Sequence, residues 1–334
     1  MNFIRSLIFS SLSLTSINTF ANYTPSEAAS FLQHNLPRVQ ADTHSKKYPY
    51  VEGLLEPMFS TNKKVAESQG YRNYLNVLNY ANQGNPYASY NAGIYMMLNK
   101  EKFNFELTDI LILLKKGSDG GIFDSKYSLA LIYMNKAEDV AEILNKPQES
   151  VKTTEKDKKD RVAIIKRDAG RFRELSQQYI LELASKGHEK AFLMACNYYV
   201  RGEFLPQDSL QAAVCYNNAV KGFNSNVAMG MLVKLYFDDP TFSGIEFEKK
   251  GIDLAKKASH KGNTYAMALL GKQLIYPKNL PYSDVEAGTK FLKMAANSGD
   301  ELAISYMAKY FDGAGRLFIR PVKPVKNGFF EELK

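Results

Sequence analysis

Histidine and cysteine are the side chains with the widest chemical repertoire, and this 334-residue chain has four of one and two of the other. His34, His44, His188 and His260 each lack a second cysteine, histidine or carboxylate at metal-ligand spacing, so no zinc site is expected. His188 and His260 stand beside glycines and read as ordinary surface imidazoles. Gly120-Gly121 and Gly313-Ala314-Gly315 do not extend into GxxxxGK[ST] or GxGxxG, so no phosphate-binding loop is expected. There is no G-x-S-x-G elbow to present a nucleophilic serine. The neighbouring carboxylates Glu331-Glu332 lie near the end of the chain, where paired acid and base groups are poorly held. No catalytic, cofactor-binding or metal-binding residue is assigned, and the chain reads as a binder rather than an enzyme.

The elements that would position any site emerge from glycine spacing. Counting from Gly84, Gly121, Gly187, Gly262 and Gly299, position +4 is Ala88, Ser125, Ala191, Ala266 and Ala303, and position +9 is Gly93, Ala130, Cys196, Gly271 and Ala308. Position +12 is larger: Met96, Tyr133, Tyr199, Leu274 and Phe311. Gly222 starts the same series only after two extra residues, with Ala228, Leu232, Val233 and Tyr236. Upstream, apolar Leu113, Tyr179, Val214, Leu254 and Phe291 fall eight residues before a glycine, and a small residue falls three or four before it. Offsets of four, eight and twelve share a helix face at 3.6 residues per turn. Each glycine therefore ends one helix ahead of the next. A lone helix pair cannot bury its apolar stripe, so the pairs must stack.

The spacings between these glycines are 37, 66, 35, 40 and 37 residues. The long interval holds KPQESVKTTEKDKKDR, expected as a charged surface excursion at about 137–168. Segments 22–69 and 316–334 fall outside the periodicity and are expected as an amino-terminal cap and a carboxy-terminal tail, around repeats spanning 70–315.

Residues 1–21 have the three-part pattern of a secretory signal peptide: Arg5 near the start, an apolar stretch from Leu7 to Ile17, and Thr19-Phe20-Ala21 as a cleavage site. Export to the periplasm, or beyond the cell, is the expectation. The formal charge of +8 becomes +7 after cleavage. That charge is thinly spread, and nucleic acid is not an expected partner outside the cytoplasm. No later stretch reads as a membrane span, so no stable membrane insertion is expected after cleavage. Cys196 and Cys215 could bond in an oxidising compartment. The expectation is nevertheless two reduced thiols, with the close approach of Cys196 falling one turn before Cys215.

The segment AFLMACNYYVRGEFLPQDSLQAA resembles the Sel-one-like repeats, a subfamily of the tetratricopeptide-type helical repeats. Ala191, Ala195, Cys196, Tyr199, Gly202, Leu205 and Asp208 stand at that family's positions, and FLKMAANSG and LLKKGSDGG resemble its closing segment. Few units keep the mid-unit glycines. The resemblance implies an all-α fold, a right-handed α-solenoid of stacked antiparallel helix pairs. It also implies an adaptor that assembles complexes; several exported bacterial members serve at host or envelope interfaces. By the same analogy the first helix of each pair lines a concave groove, onto which Tyr87, Tyr90, Lys190, Asn197, Tyr265, Lys272 and Lys309 would project. The partner would be another protein, and a mildly basic groove suits an acidic one. Three roles stay open: a periplasmic scaffold for a cell-envelope assembly such as a secretion system, a periplasmic immunity protein that neutralises a toxin enzyme, or an enzyme or wall-binding module in the ends outside the repeats.

Overall fold

The computed structural model describes residues 74–145 and 155–333. The expected signal peptide and the whole of the expected amino-terminal cap lie outside them. The described residues are helical, apart from turns, one 3-10 turn and two isolated bridges. In chain order the helices are α1 (74–82), α2 (Pro86–Leu98), α3 (Lys100–Phe103), α4 (Leu107–Asp119), α5 (Phe123–Asn145), α6 (Glu155–Ser185), α7 (Glu189–Arg201), α8 (Ser209–Phe223), α9 (Asn226–Asp238), α10 (Ile245–His260), α11 (Thr264–Ile275), α12 (Val285–Asn297), α13 (Glu301–Tyr310) and α14 (Phe329–Glu332). Contacts divide the chain into two compact units, with the boundary at Ala191/Phe192 in the first turn of α7.

The turn glycines work as expected, and the hydrogen bonds show why. Gly84, Gly121, Gly187, Gly262 and Gly299 all have φ between 78° and 91°, where a side chain would clash. At each, the glycine N–H donates to the carbonyl three residues back, and the next N–H reaches back five, as Asn263 does to Ala258 at 3.0 Å. This double bond pattern satisfies carbonyls that a helix end leaves open. At four of the five, all but Gly121 with Ile122 after it, the residue after the glycine then caps the following helix. Asn85, Asn263 and Asp300 accept from the N–H of Ala88, Ala266 and Ala303, and these alanines at +4 are buried. One sequence word thus stops one helix and starts the next.

The Gly222 unit departs from this scheme. Its second helix, α8, runs on to Phe223, and Asn224 takes the left-handed conformation at φ 55°. Ser225 then caps α9 through the Ala228 N–H. Counted from Asn224, Ala228, Leu232, Val233 and Tyr236 fall at +4, +8, +9 and +12 with no insertion. Asparagine tolerates this conformation better than other non-glycine residues.

In the first unit α2 packs on α4, α4 on α5, and α5 on α6. The charged stretch at 137–168 is largely helix, not an excursion: it lengthens α5 to Asn145 and starts α6 at Glu155. Lysine, glutamate and arginine are good helix formers, so a run rich in them continues a helix once a partner pairs with it.

In the second unit α8 packs on α9, α9 on α10, α10 on α11 and α11 on α12, so the pairs stack in chain order. First helices also meet directly, α9 on α11 and α11 on α13. The core runs through Val233, Phe237, Ile252, Ala255, Leu270 and Leu274. Phe330 and Leu333 join that core, so the carboxy-terminal segment is packed rather than trailing. The Phe330 N–H donates to Asp284, the Lys256 ammonium donates to the Leu333 carbonyl at 3.1 Å, and Phe330 meets the Phe291 ring edge-on. Buried Glu248 fixes the α11–α12 loop by accepting from Gln273 and from the N–H groups of Lys278, Asn279 and Leu280.

Cys196 and Cys215 form a disulfide with Cα atoms 5.6 Å apart, which corrects the expectation of two thiols. The reason is register. In α2/α4 and α11/α12, the residue at +9, Gly93 or Gly271, lies against Leu114 or Leu292, seven residues before the next turn glycine. Cys196 is a +9 residue and Cys215 lies seven before Gly222, which here sits inside α8 two residues short of the turn at Asn224. The two sulfurs therefore stand opposite each other instead of one turn apart, within the Cα separation a disulfide requires.

Candidate partner-binding surface

The first helices α9, α11 and α13 form a continuous wall in the second unit, because their small residues let successive helices touch. Lys234, Lys272 and Lys309 recur at +10 along it, counted from Asn224, Gly262 and Gly299. Asp238 sits between two of these lysines, 2.9 Å from Lys234 and 3.7 Å from Lys272. Partial burial raises the Asp238 carboxyl, but the Lys234 hydrogen bond and the charges of Lys234, Lys272 and Lys278 outweigh it and hold it below the usual range. Lys278 reaches the same end of α9 and donates to the Phe237 carbonyl. Burial pulls the Lys272 ammonium down, against the pull of Asp238. Three cations thus share one carboxylate, while the Asp300 carboxylate stands near Tyr265.

Tyrosines flank these charges. Burial raises the Tyr265 hydroxyl. Tyr306 is pushed up to about 12, first by burial and then by the charge of Asp238. Tyr276 and Tyr310 lie with ring centroids 4.7 Å apart, and Tyr306 lies 5.9 Å from Tyr310. Half-buried tyrosines on rigid helices offer contact area at small entropic cost, and cations among them add charge selectivity.

The seven residues named from the sequence fare unequally. Tyr265 and Lys272 belong to this wall, and Lys309 is exposed on α13 with its ammonium 5.4 Å from the Tyr310 ring. Asn197 is engaged inside its own repeat, where it accepts from the Tyr216 hydroxyl at 2.7 Å. In the first unit Tyr87, near the start of α2, is buried, 8% exposed. Tyr90 is half-buried. Lys190 is exposed and lies 3.7 Å from Asp124.

Two residues of this wall, Lys234 and Tyr306, and one cap in the first unit, His188, were passed over in the sequence. Lys234 falls at +10 on the same shifted count that placed Val233 and Tyr236, and that count was the available signal. Tyr306 lies at +7, an offset not expected to face the groove. His188 is not an ordinary surface imidazole: its Nδ1 accepts from the Ala191 N–H at 3.2 Å, capping α7. That leaves Nε2 to carry the proton and donate to Asp124 at 3.3 Å. The hydrogen bond and charge of His188, with Lys190 nearby, hold the Asp124 carboxyl low against its partial burial. The signal was positional, since His188 occupies the capping site of Asn85 and Asn263.

Among the described residues no group of three or more histidines, cysteines and carboxylates stands together as a metal site. No described helix is long and apolar enough to cross a membrane.

These are helix pairs joined by glycine-ended, side-chain-capped turns, the build of a Sel-one-like repeat protein. No protein-family model matches the chain, and no curated protein matches it in sequence. Solved structures do. One is a Sel1 repeat protein from Oxalobacter formigenes, 17% identical, with a TM-score of 0.49 over 72% of this chain and 83% of that one. Another is a protective antigen of uropathogenic Escherichia coli strains displaying an SLR fold, 16% identical, with a TM-score of 0.35 over 77% of this chain and 62% of that one. Neither overlap bears on what this chain binds.

Proposed function

We propose that the protein is a periplasmic protein-interaction scaffold that helps assemble or position a cell-envelope complex, such as a secretion system, and that it acts by binding rather than catalysis. The observation that carries this reading is the α9–α11–α13 wall, a helical surface of tyrosines in which Lys234, Lys272 and Lys278 surround Asp238. Such a surface suits a protein segment bearing carboxylates beside apolar side chains. The signal-peptide pattern and the Cys196–Cys215 disulfide both suit an oxidising, extracytoplasmic compartment.

The test is site-specific photo-crosslinking in the producing cell. A crosslinkable residue at Tyr265 or Lys309 should trap a discrete envelope protein, while one at Lys257 on α10 should not. Amino-terminal sequencing of the mature protein should begin at Asn22. Equal adducts from all three positions, or an intact Met1 in the cytoplasm, would remove this reading. A trapped toxin enzyme would convert it to the immunity role.

A further inference from the structure

The last turns of the chain carry a feature independent of the helix wall. Residues 318–324 have no regular structure, yet they are held at both ends. At one end the Phe318 N–H donates to the Tyr310 carbonyl, and the Tyr276 hydroxyl donates to the Ile319 carbonyl. At the other, Ser283 bonds the Pro324 carbonyl and the Lys326 N–H, and Phe330 anchors the segment in the core. Between these clamps apolar side chains are held out in water. Phe318 is 56% exposed, Ile319 40%, Val322 94% and Val325 53%. A clamped segment that shows four large apolar groups and buries none of them marks a contact surface.

The charges say what kind of surface. The sequence from Leu317 to Val325 contains Arg320 and Lys323 and no acid. The flanking cations are already answered, Arg316 by Asp312 at 2.8 Å and Lys326 by Glu332 at 2.6 Å. Arg320 and Lys323 have no ion pair among the described residues. Pro321 and Pro324 lack backbone donors, so the arm is poorly suited to pair with a partner strand. Apolar side chains interleaved with cations on a convex, non-pairing loop match the interface of an anionic bilayer. There, apolar groups enter the headgroup boundary and cations meet phosphates.

We propose that the arm 317–325 is a peripheral docking loop for an anionic lipid surface, with Phe318, Ile319 and Val322 entering the interface and Arg320 and Lys323 meeting lipid phosphates. The contact is reversible and involves no membrane-spanning helix. It would set the helix wall beside a membrane without using it.

The experiment is co-sedimentation of the mature full chain with phosphatidylcholine vesicles and with vesicles of phosphatidylcholine and phosphatidylglycerol. Binding is expected to the anionic vesicles only, and to weaken as salt rises. Val322→Asp and the double variant Arg320→Glu/Lys323→Glu should each lower the partition coefficient about tenfold or more. Lys257→Glu, a single charge reversal on α10, should have little effect, and thermal melts should show all variants folded. The proposal is overturned if the wild-type chain ignores anionic vesicles, or if Lys257→Glu weakens binding as much as the arm variants do. It is equally overturned if the arm variants sediment like wild type while losing a crosslinked envelope protein, which would assign the arm to a protein contact.

Discussion

The helix pairs α7/α8 and α11/α12 meet at one register and close it by opposite means. In α11/α12 the contact is as close as backbone allows: a methyl on Gly271 would stand 2.7 Å from the Gly288 carbonyl oxygen and 2.8 Å from Leu292. In α7/α8 the same two positions carry Cys196 and Cys215, joined covalently with Cα atoms 5.6 Å apart. Caps and apolar stripes set the register, and the residues meeting there vary in chemistry as long as their summed size fits. α2/α4 lies between the two, with glycine on one helix and Leu114 on the other.

The largest expected effect comes from removing the covalent closure. Cys196→Ala/Cys215→Ala should lower unfolding stability by about 3 kcal/mol, the loop-closure value for a bond spanning 19 residues. Urea titration of wild type with and without reductant checks it. A midpoint unmoved by reduction would mean that packing alone holds α7 on α8.

Next is the glycine closure. Gly271→Leu should cost roughly 1–3 kcal/mol by overpacking, because it meets backbone. Gly93→Leu should cost less, since its nearest neighbours are atoms of the Leu114 side chain, at 3.0 Å, which can shift. Melts of the two variants that ranked the other way would break the argument that backbone approach distinguishes these pairs.

The turns should respond more mildly. Asn263→Ala and His188→Ala each remove a cap and should cost about 1 kcal/mol. His188→Asn keeps a capping acceptor while giving up the Asp124 contact, so it should cost less than His188→Ala. Equal losses from the two His188 variants would mean that the Asp124 contact, and not the cap, matters.

The smallest effect is electrostatic. Tyr306 is raised to about 12 in the folded chain, so between about pH 10 and 12 the unfolded state gives up its proton first. Its contribution is complete below pH 10 and is lost as pH rises through the folded value. Tyr306→Phe should therefore flatten the alkaline fall in stability, read as urea midpoints across that range. An unchanged slope would show that the hydroxyl is not masked on the wall.

Part of the candidate surface was legible in the sequence. Tyr265, Lys272 and Lys309 were found by counting from Gly262 and Gly299, whose turns keep the standard length. Lys234 was legible too, at +10 on the count that already placed Val233 and Tyr236 after two extra residues, but it was passed over. Tyr87 is 8% exposed, and offset counting does not report burial. His188 was undervalued because a cap is recognised by what it accepts, and histidine is a rare choice for that place.

The sequence by itself determined the alternation of helix and turn. Period, small residues and turn glycines are local signals, each satisfied within about one helix pair, and local signals can be read without coordinates. Tertiary structure decided what depends on two helices meeting. It set +9 opposite the residue seven before the next glycine, and so made a disulfide of Cys196 and Cys215. It also decided where the end of the chain goes: Phe330 and Leu333 share a core with Val233, nearly a hundred residues earlier. No periodicity reports such a contact, because its free energy comes from burying apolar surface contributed by distant segments that become neighbours only on folding.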